Sequence, residues 1–447
     1  MDKFIIRGGN PLIGTVRVSG AKNSALPSMA AAILTDEEVT LENIPEVRDI
    51  ETQRRLLASM GATVEWRETG PLFAEPGDDG RDRVTISCRS LSNPVARYEI
   101  VKTMRASSLV LGPLIAREGM ARVAMPGGCA IGGRPIDLHI KGLEKMGAVI
   151  LQEHGYLEAR AQRLRGAHIV FDRITVTGTE DLLMAAVLAE GDTLLENCAR
   201  EPEVVDLAAL LTAMGAMIQG AGTSSIRVRG VTSLHGARYR INPDRIEAGT
   251  LLVAGAITGG DLIVADCNTD HLGAVIAKLR ETGVRVDIIG PDAARVRGAG
   301  RLRSANLSTE EYPGFPTDMQ AQYMALATQS EGVSLIRENI FENRFMHVQE
   351  LVRMGANIKV DGNNAKVRGP AKLSSAAVMC SDLRASASLV LAALVADGES
   401  VVDRVYHMDR GYEHIEDKLR SVGAQIQRLG NVFAPRPEKA SSVNQPA

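Results

Sequence analysis

One phrase, roughly L-x-x-M-G-A, occurs six times along the chain, and no other feature narrows the possible folds as much. It reads LLASMGATV, LEKMGAVI, LLTAMGAMI, LRETGVRV, LVRMGANI and LRSVGAQI, with glycines at Gly61, Gly147, Gly215, Gly283, Gly355 and Gly423. Successive glycines stand 86, 68, 68, 72 and 68 residues apart. A recurring period means that one supersecondary unit has been copied along the chain. In each copy an apolar-periodic segment ends at the glycine and gives way to a β-branched run, which predicts a helix, a left-handed C-cap and a strand. An Ala/Leu-rich helical stretch and another strand pattern come first, as in TGTEDLLMAAVLAEGDTLLENCA and DLRASASLVLAALVADGESVVDRVY. Each repeat is therefore expected to run helix, strand, helix, strand, giving a pseudo-symmetric α/β protein. At 447 residues the chain exceeds what one core accommodates, so the six repeats are expected to form two domains of three.

Two stretches fall outside the repeats. The long first interval contains GPLFAEPGDDGRDR, whose turn formers predict an elaborated hairpin or loop. Beyond Gly430, NVFAPRPEKASSVNQPA reads as a polar, disordered tail.

The bulk composition excludes several function classes. A formal charge of -3 without long runs of one sign leaves no electrostatic footprint for nucleic acid or an anionic membrane. The opening MDKFIIRGGNPLIG lacks the pattern of a secretory signal, and apolar runs such as SLVLGPLIA are too short to span a bilayer, so a cytoplasmic location is expected. The five cysteines, Cys88, Cys129, Cys198, Cys267 and Cys380, are scattered and never form CxxC, which argues against disulfides and zinc. Nothing in the pattern sets the oligomeric state.

Cations recur where helices begin. In the first repeat Leu26, Met29, Ala30 and Ile33 fall on one face, which places Lys22 and Asn23 in the first turn. The same alignment puts Arg105 and Arg384 at the equivalent point of two other repeats, while the remaining three carry Glu180 and Asp181, Glu247, and Asp318. A helix N-terminus bears about half a positive charge, so a cation there is unfavourable unless an anion is near. Each cation taken singly could simply reach solvent or a neighbouring carboxylate. Three together predict a polyanionic ligand, because helix-start N–H groups with Lys or Arg make a phosphate or carboxylate site. Asp318, in TDMQAQYMALA, reads on spacing alone as a helix cap.

The segment MPGGCAIGGRPIDLHIKGLEKMGA sets Cys129 among Gly127, Gly128, Gly132 and Gly133, with Arg134 following and Pro135 suited to the first helical position. A thiol on such a loop beside a cation at a helix start is expected to be exposed to substrate and to have its pKa lowered. Asp137 and Lys141 are spaced as an i,i+4 pair, and His139 is expected on the outer face of its helix. Cys198, Cys267 and Cys380 read as inert residues within apolar strands, and Cys88 as a strand residue. A second polar cluster, DRVYHMDRGYEHIEDKLRSVGA, carries His407, Asp409, Arg410, Glu413 and His414. Arg410 holds a place in its repeat comparable to that of Arg134.

These blocks resemble the UDP-N-acetylglucosamine 1-carboxyvinyltransferase family over nearly the whole chain. The likeness rests on SGAKNSALP, KTMRASSLVLGPL, PGGCAIGGRPIDLHIKGLEKMGA, ENCAREPEVVDL, FPTDMQAQ, ENIFENRFMHV, DLRASASLVLA and DRGYEHIEDKL, in the family's order. The sister transferase acting on shikimate 3-phosphate shares the fold, but its pattern lacks the PGGC loop. The resemblance implies a two-domain inside-out α/β barrel of six βαβαββ-type units, three per domain. Residues 22–242 would form one domain and residues 1–21 with 243–430 the other.

The resemblance also implies an activity: transfer of the enolpyruvyl group of phosphoenolpyruvate to the 3-hydroxyl of UDP-N-acetylglucosamine, the first committed step of peptidoglycan synthesis. No metal and no cofactor is implied, and both partners are small molecules. Lys22, Arg134 and Arg410 match positions that hold phosphoenolpyruvate. Asn23, Arg105, the run Arg134, Pro135, Ile136, Asp137 and Leu138, the run Arg173, Ile174, Thr175 and Val176, Asp318 and Ile340 match positions that hold the UDP-sugar. Asp318 also matches the general base for the sugar hydroxyl. Cys129 matches the proton donor and target of epoxide inhibitors of the fosfomycin type, and Arg344 and Arg384 match further cleft arginines. Three stretches depart from the family pattern, one being the insertion between Gly61 and Arg105, which is longer than in compact members. SLVLGPL lacks an aromatic often found there, and TVTGTEDLL differs from the Gly-Ala form of the uridine loop.

Overall fold

In a computed structural model of the chain, which describes residues 2–67, 83–125, 136–298 and 300–430, six four-stranded sheets repeat one topology. The third unit shows it without interruption. Strand His168–Val170 leads through helix Val176–Ala186 to strand Asp192–Glu196, and helix Pro202–Ala213 then leads to strands Met217–Gln219 and Ser225–Arg229. The first two strands pair in parallel, and the last strand inserts antiparallel between Asp192–Glu196 and Met217–Gln219. Each unit thus carries two strands more than the repeat pattern of the sequence shows. The opening strands escape notice because they are short, down to Val95–Ala96 and Leu307–Ser308.

Three units are completed by distant pieces of chain. Ala237–Arg240 pairs in parallel with Glu38–Glu42 and completes the first sheet. Ile13–Arg17 pairs with Asp261–Ala265 in the fourth, and Lys3–Arg7 lies between Glu399–Asp403 and Gln425–Leu429 in the sixth.

The layering is inverted relative to an ordinary α/β protein, with helices inside and sheets outside. The central helix of each unit is apolar nearly all round, and such a helix must be enclosed. Every residue of Gln320–Thr328 and of Ala385–Ala393 is buried, as is every residue but Asn23 of Lys22–Ala31. The strands alternate instead, as in Asp261–Ala265 with only Leu262 and Val264 fully buried, so each sheet turns one face to the helices and one to water. Close helix contact depends on missing side chains. A Cβ on Gly112 would lie 2.3 Å from the carbonyl oxygen of Asp181.

The buried residues fall into two cores. One runs from Ala21 to Ile241; the other combines Phe4 to Val18 with Ile246 to Ile426. The chain passes between them at two adjacent points, where Gly20 bridges Pro243 and the Ala21 N–H donates to the Asn242 carbonyl at 2.7 Å. The six repeated glycines all have φ between 88° and 108°, the left-handed turn their position in the repeat demands. No helix among the described residues is long and apolar enough to cross a membrane.

Four cysteines can be placed. Cys88 and Cys380 immediately follow strands, and Cys198 and Cys267 come two residues after strands, so they cap strand ends and do not lie within the strands. All four are buried. Burial raises the Cys88 and Cys267 thiols to about 11 and those of Cys198 and Cys380 to about 12.

Candidate active site

Lys22 opens the central helix of the first unit, and the chain there has no acid in its first turn and no side-chain cap. Its ammonium is buried, with Nζ 3.2 Å from Oδ2 of Asp49. Asp49 sits in the first turn of helix Arg48–Ser59, where a carboxylate suits the helix dipole. The same carboxylate accepts from Arg410, at 2.9 Å from Nε and 3.4 Å from Nη2. Arg410 ends the short 3-10 helix Val405–Arg410 in the other core, so Asp49 ties two cations across the cleft between cores. Burial lowers the proton affinity of Lys22; Asp49 opposes that, while Arg384 and Arg410 add to it. An ammonium so placed gains from an incoming anion.

A second cation pair surrounds Asp318. Arg344 Nη2 lies 2.7 Å from Oδ1, and Arg384 Nε lies 3.5 Å from Oδ2. Both guanidinium groups are almost fully enclosed, whereas the Asp318 side chain keeps 24% of its surface exposed and so remains open to a ligand. Burial alone would raise the Asp318 carboxyl, but Arg344 and Arg384, with a smaller contribution from Lys22, hold it well below the usual carboxylate range. Arg384 also pairs with Asp244 at 3.4 Å, donates to the Gly411 carbonyl, and lies 5.0 Å over the Tyr412 ring. The Tyr412 hydroxyl is fixed in turn by Thr250 and Gln322, each at 3.0 Å.

Asp318 is therefore not a helix cap. The residue preceding its 3-10 turn is Pro316, that preceding helix Gln320–Thr328 is Met319, and neither end has a side-chain cap. The carboxylate turns toward arginines supplied by two other segments, which no local spacing reveals.

The remaining candidates form a second group. Ile136, Asp137 and Leu138 begin the helix Asp137–Lys145, and Arg173, Ile174, Thr175 and Val176 lead into Val176–Ala186. Arg173 Nη2 meets Asp137 Oδ1 at 3.1 Å and joins the two runs. Asp137 is thus not the partner of Lys141, which pairs with Asp172 at 3.0 Å. Thr175 caps its helix by accepting from the Gly178 N–H at 3.2 Å. Arg105 begins the 3-10 segment Arg105–Val110, near enough to His139 to oppose its protonation. Cys129, Arg134 and Pro135 lie outside the described residues.

His139 is not on an outer face. It is 2% exposed, and neither ring nitrogen makes a hydrogen bond of ordinary geometry among the described residues, although the Thr177 backbone attracts its proton. Burial lowers its pKa to about 4. The helix presents this face to the core because Leu138, Gly142 and Leu143 beside it are buried as well.

Two further residues at the site, Asp49 and Asp244, carry no sequence signal. Asp49 looks like an ordinary first-turn acid, and Asp244 is a helix cap accepting from Ile246 and Glu247 N–H groups. Ile340 and Arg344 lie on the segment after strand Gly332–Arg337, a segment secured by the neighbouring Glu338.

The family model described as EPSP synthase (3-phosphoshikimate 1-carboxyvinyltransferase) matches residues 6–419. A UDP-N-acetylglucosamine 1-carboxyvinyltransferase from Acidobacterium capsulatum is 75% identical over 440 residues, 98% of this chain and 99% of the relative. A protein of the same name from Koribacter versatilis is 67% identical, over 99% of each. Among solved structures, the enolpyruvyl transferase NikO from Streptomyces tendae superposes with a TM-score of 0.83 at 26% identity, covering 96% of this chain and 98% of that one. EPSP synthase from Acinetobacter baumannii, with a TM-score of 0.72 at 18% identity over 96% of this chain and all of that one, shares the fold.

Proposed function

The chain belongs to the UDP-N-acetylglucosamine 1-carboxyvinyltransferase family, and from that premise we propose which of its residues carry the reaction. It transfers the enolpyruvyl group of phosphoenolpyruvate to the 3-hydroxyl of UDP-N-acetylglucosamine and releases phosphate, the first step of peptidoglycan synthesis. The observation that carries the residue assignment is the convergence of Lys22, Arg344, Arg384 and Arg410 from both cores on two carboxylates, Asp49 and Asp318. Two of the four cations are held by a carboxylate that substrate oxygens can replace.

Lys22 and Arg410, with Arg134, take the phosphate and carboxylate of phosphoenolpyruvate. Asn23, Arg105, Arg134 to Leu138, Arg173 to Val176, Asp318 and Ile340 take the UDP-sugar. In the addition step the sugar 3-hydroxyl oxygen bonds to C2 of phosphoenolpyruvate, its proton passes to Asp318, and C3 gains a proton from the Cys129 thiol. In the elimination step C3 returns a proton to the Cys129 thiolate, the C2–O bond to phosphate breaks, and the double bond re-forms. Cations stabilise the charge on the leaving phosphate, which is where fixed positive groups lower the barrier most. In the arrangement of this structure Asp318 is too weak a base, because two arginines stabilise its anion. A substrate anion that draws on Arg384 raises the proton affinity of Asp318 at the moment a base is needed.

We read the two cores as the two domains, residues 22–242 and residues 1–21 with 243–430, closing on the substrates to exclude water. We also place the reaction in the cytoplasm. The test is phosphate release from phosphoenolpyruvate with UDP-N-acetylglucosamine or with shikimate 3-phosphate. Release with the UDP-sugar alone, and its loss in Asp318→Ala, is the expected result. Release with shikimate 3-phosphate alone would reverse the substrate assignment, and full turnover by Asp318→Ala would remove Asp318 as base.

A further inference from the structure

Glu338 lies two residues before Ile340 and six before Arg344, and its carboxylate is 2% exposed. Among the described residues it forms no ion pair. Its partners are all hydrogen-bond donors: the Ile340 and Phe341 N–H groups at 2.9 and 3.2 Å, the Thr309 hydroxyl at 3.0 Å, and the Thr317 hydroxyl at 2.9 Å from both oxygens. A buried carboxylate so surrounded organises its neighbours, because each of them has one direction in which to donate.

The Thr317 contact runs into the site. Thr317 Oγ1 accepts from Arg344 Nη1 at 3.0 Å, while Arg344 Nη2 donates to Asp318 at 2.7 Å. An arginine can only donate, so the Thr317 proton must point away from it, and Glu338 receives that proton. From the Arg344 guanidinium the bonds run outward both ways: Nη2 donates to Asp318, Nη1 donates to Thr317, and Thr317 donates in turn to Glu338. Meanwhile the two backbone bonds fix the segment on which Ile340 and Arg344 ride.

We propose that Glu338 is a positioning residue for the transfer reaction, holding Arg344 against Asp318 through the Thr317 hydroxyl and holding Ile340 in place through the backbone. The proposal rests on the reading of Asp318 and Arg344 as site residues. Glu338 touches no reacting atom; it sets the geometry of groups that do, and small displacements of such groups cost rate steeply.

Thr317→Val keeps the shape of the side chain and deletes the hydroxyl, Thr317→Ser keeps the hydroxyl, and Glu338→Gln places an amide NH2 where an acceptor is required. Steady-state kinetics on the full chain with both substrates separate the outcomes. Thr317→Val and Glu338→Gln are expected to lower kcat by about tenfold to a hundredfold, with KM for phosphoenolpyruvate changed by less than about threefold. Thr317→Ser is expected within about threefold of the parent, and the double variant Thr317→Val/Glu338→Gln no lower than the worse single one, because both remove the same link. Should Glu338→Gln fail to fold, Thr317→Val carries the test alone. A kcat for Thr317→Val within threefold of the parent, or a Thr317→Ser that falls as far as Thr317→Val, overturns the positioning role. Asp318→Ala, assayed alongside, separates the two readings: if it retains turnover, the site assignment fails, and if it does not, a neutral Thr317→Val counts against Glu338 alone.

Discussion

Asp49 Oδ1 accepts a hydrogen bond from Arg410 Nε at 2.9 Å across 361 positions of sequence and from one core to the other. The preceding residues pair with the charges reversed, Arg48 Nε lying 3.5 Å from Asp409 Oδ2. Two adjacent residues of one core thus meet two adjacent residues of the other as a double ion pair. Arg428 stabilises the far side, with Nη2 2.6 Å from Asp409 and Nη1 3.0 Å from Glu416. This arrangement aligns the cores and keeps Arg410 facing Lys22.

On the proposed reading of Lys22 and Arg410, Asp49 competes with a substrate anion as well as pairing the cores, and Asp49→Asn should separate these two effects. Removing one partner of a buried ion pair costs about 3–5 kcal/mol, so the variant should melt at lower temperature. Lys22 and Arg410, left with less countercharge, should bind inorganic phosphate about tenfold more tightly, a gain of about 1.4 kcal/mol. Thermal melts over a phosphate titration read both quantities. A variant that melts lower yet binds phosphate no better than the parent would show that Asp49 does not compete with the anion.

The pH dependence of turnover should expose the charges around Asp318. In the parent, Arg344 and Arg384 keep the carboxyl ionised through the working range, so it contributes no acid limb near neutrality. Arg344→Gln removes the nearer cation, and burial then drives the carboxyl upward. Turnover that needs the ionised form is then lost as pH falls through the raised value. The acid limb of kcat/KM should move up by about one unit or more, the usual effect of one neighbouring opposite charge. An unmoved limb would assign it to another group.

What the sequence discloses, and what it hides, follows from how far apart the interacting residues are. The six units are legible because an all-apolar helix, a left-handed glycine and a β-branched strand are each local patterns. The cations at Lys22 and Arg384 are legible because a helix start is local too. Asp49 and Glu338 are hidden: one looks like a routine first-turn acid, and the other sits within a recognisable block with nothing to separate it from Glu342 beside it. Asp318 misleads on spacing because a cap and a ligand carboxylate use the same residue type at the same point, and only Arg344 and Arg384 distinguish them. His139 misleads because the polarity of an imidazole suggests solvent, whereas its neighbours Leu138, Gly142 and Leu143 turn that face inward.

Thiol chemistry should single out Cys129. The thiolate is the reactive form, and the other four thiols are buried with pKa values raised to about 11 or 12. Fosfomycin or iodoacetamide at neutral pH should therefore add once to the native protein, and Cys129→Ala should remain unmodified. Intact mass followed by peptide mapping makes the measurement. Modification of Cys88, Cys198, Cys267 or Cys380 at a comparable rate would show that one of these strand-end sites opens readily.

The buried imidazole of His139 should make itself felt in stability. Its pKa is about 4 in the folded protein, against an ordinary value of about 6.5. Between those values the unfolded chain binds a proton that the native state refuses, so ν_U exceeds ν_N and stability falls as pH falls. Below about pH 4 both states are protonated and the loss levels off; above about 6.5 neither is, and the contribution is complete. His347, also lowered to about 4 by burial, acts in the same direction, whereas Asp181, raised to about 7 by burial, acts in the opposite one. The overall pH profile mixes these terms, but comparison with His139→Leu isolates one, because the others are common to both proteins. The stability difference should shift in favour of the variant by about 3 kcal/mol between pH 7.5 and pH 4, at about 1.36 kcal/mol per pKa unit. Urea unfolding at a series of pH values provides the comparison. A difference that stays flat across the range would mean that the native state accepts the proton and that the ring is not held neutral in the core.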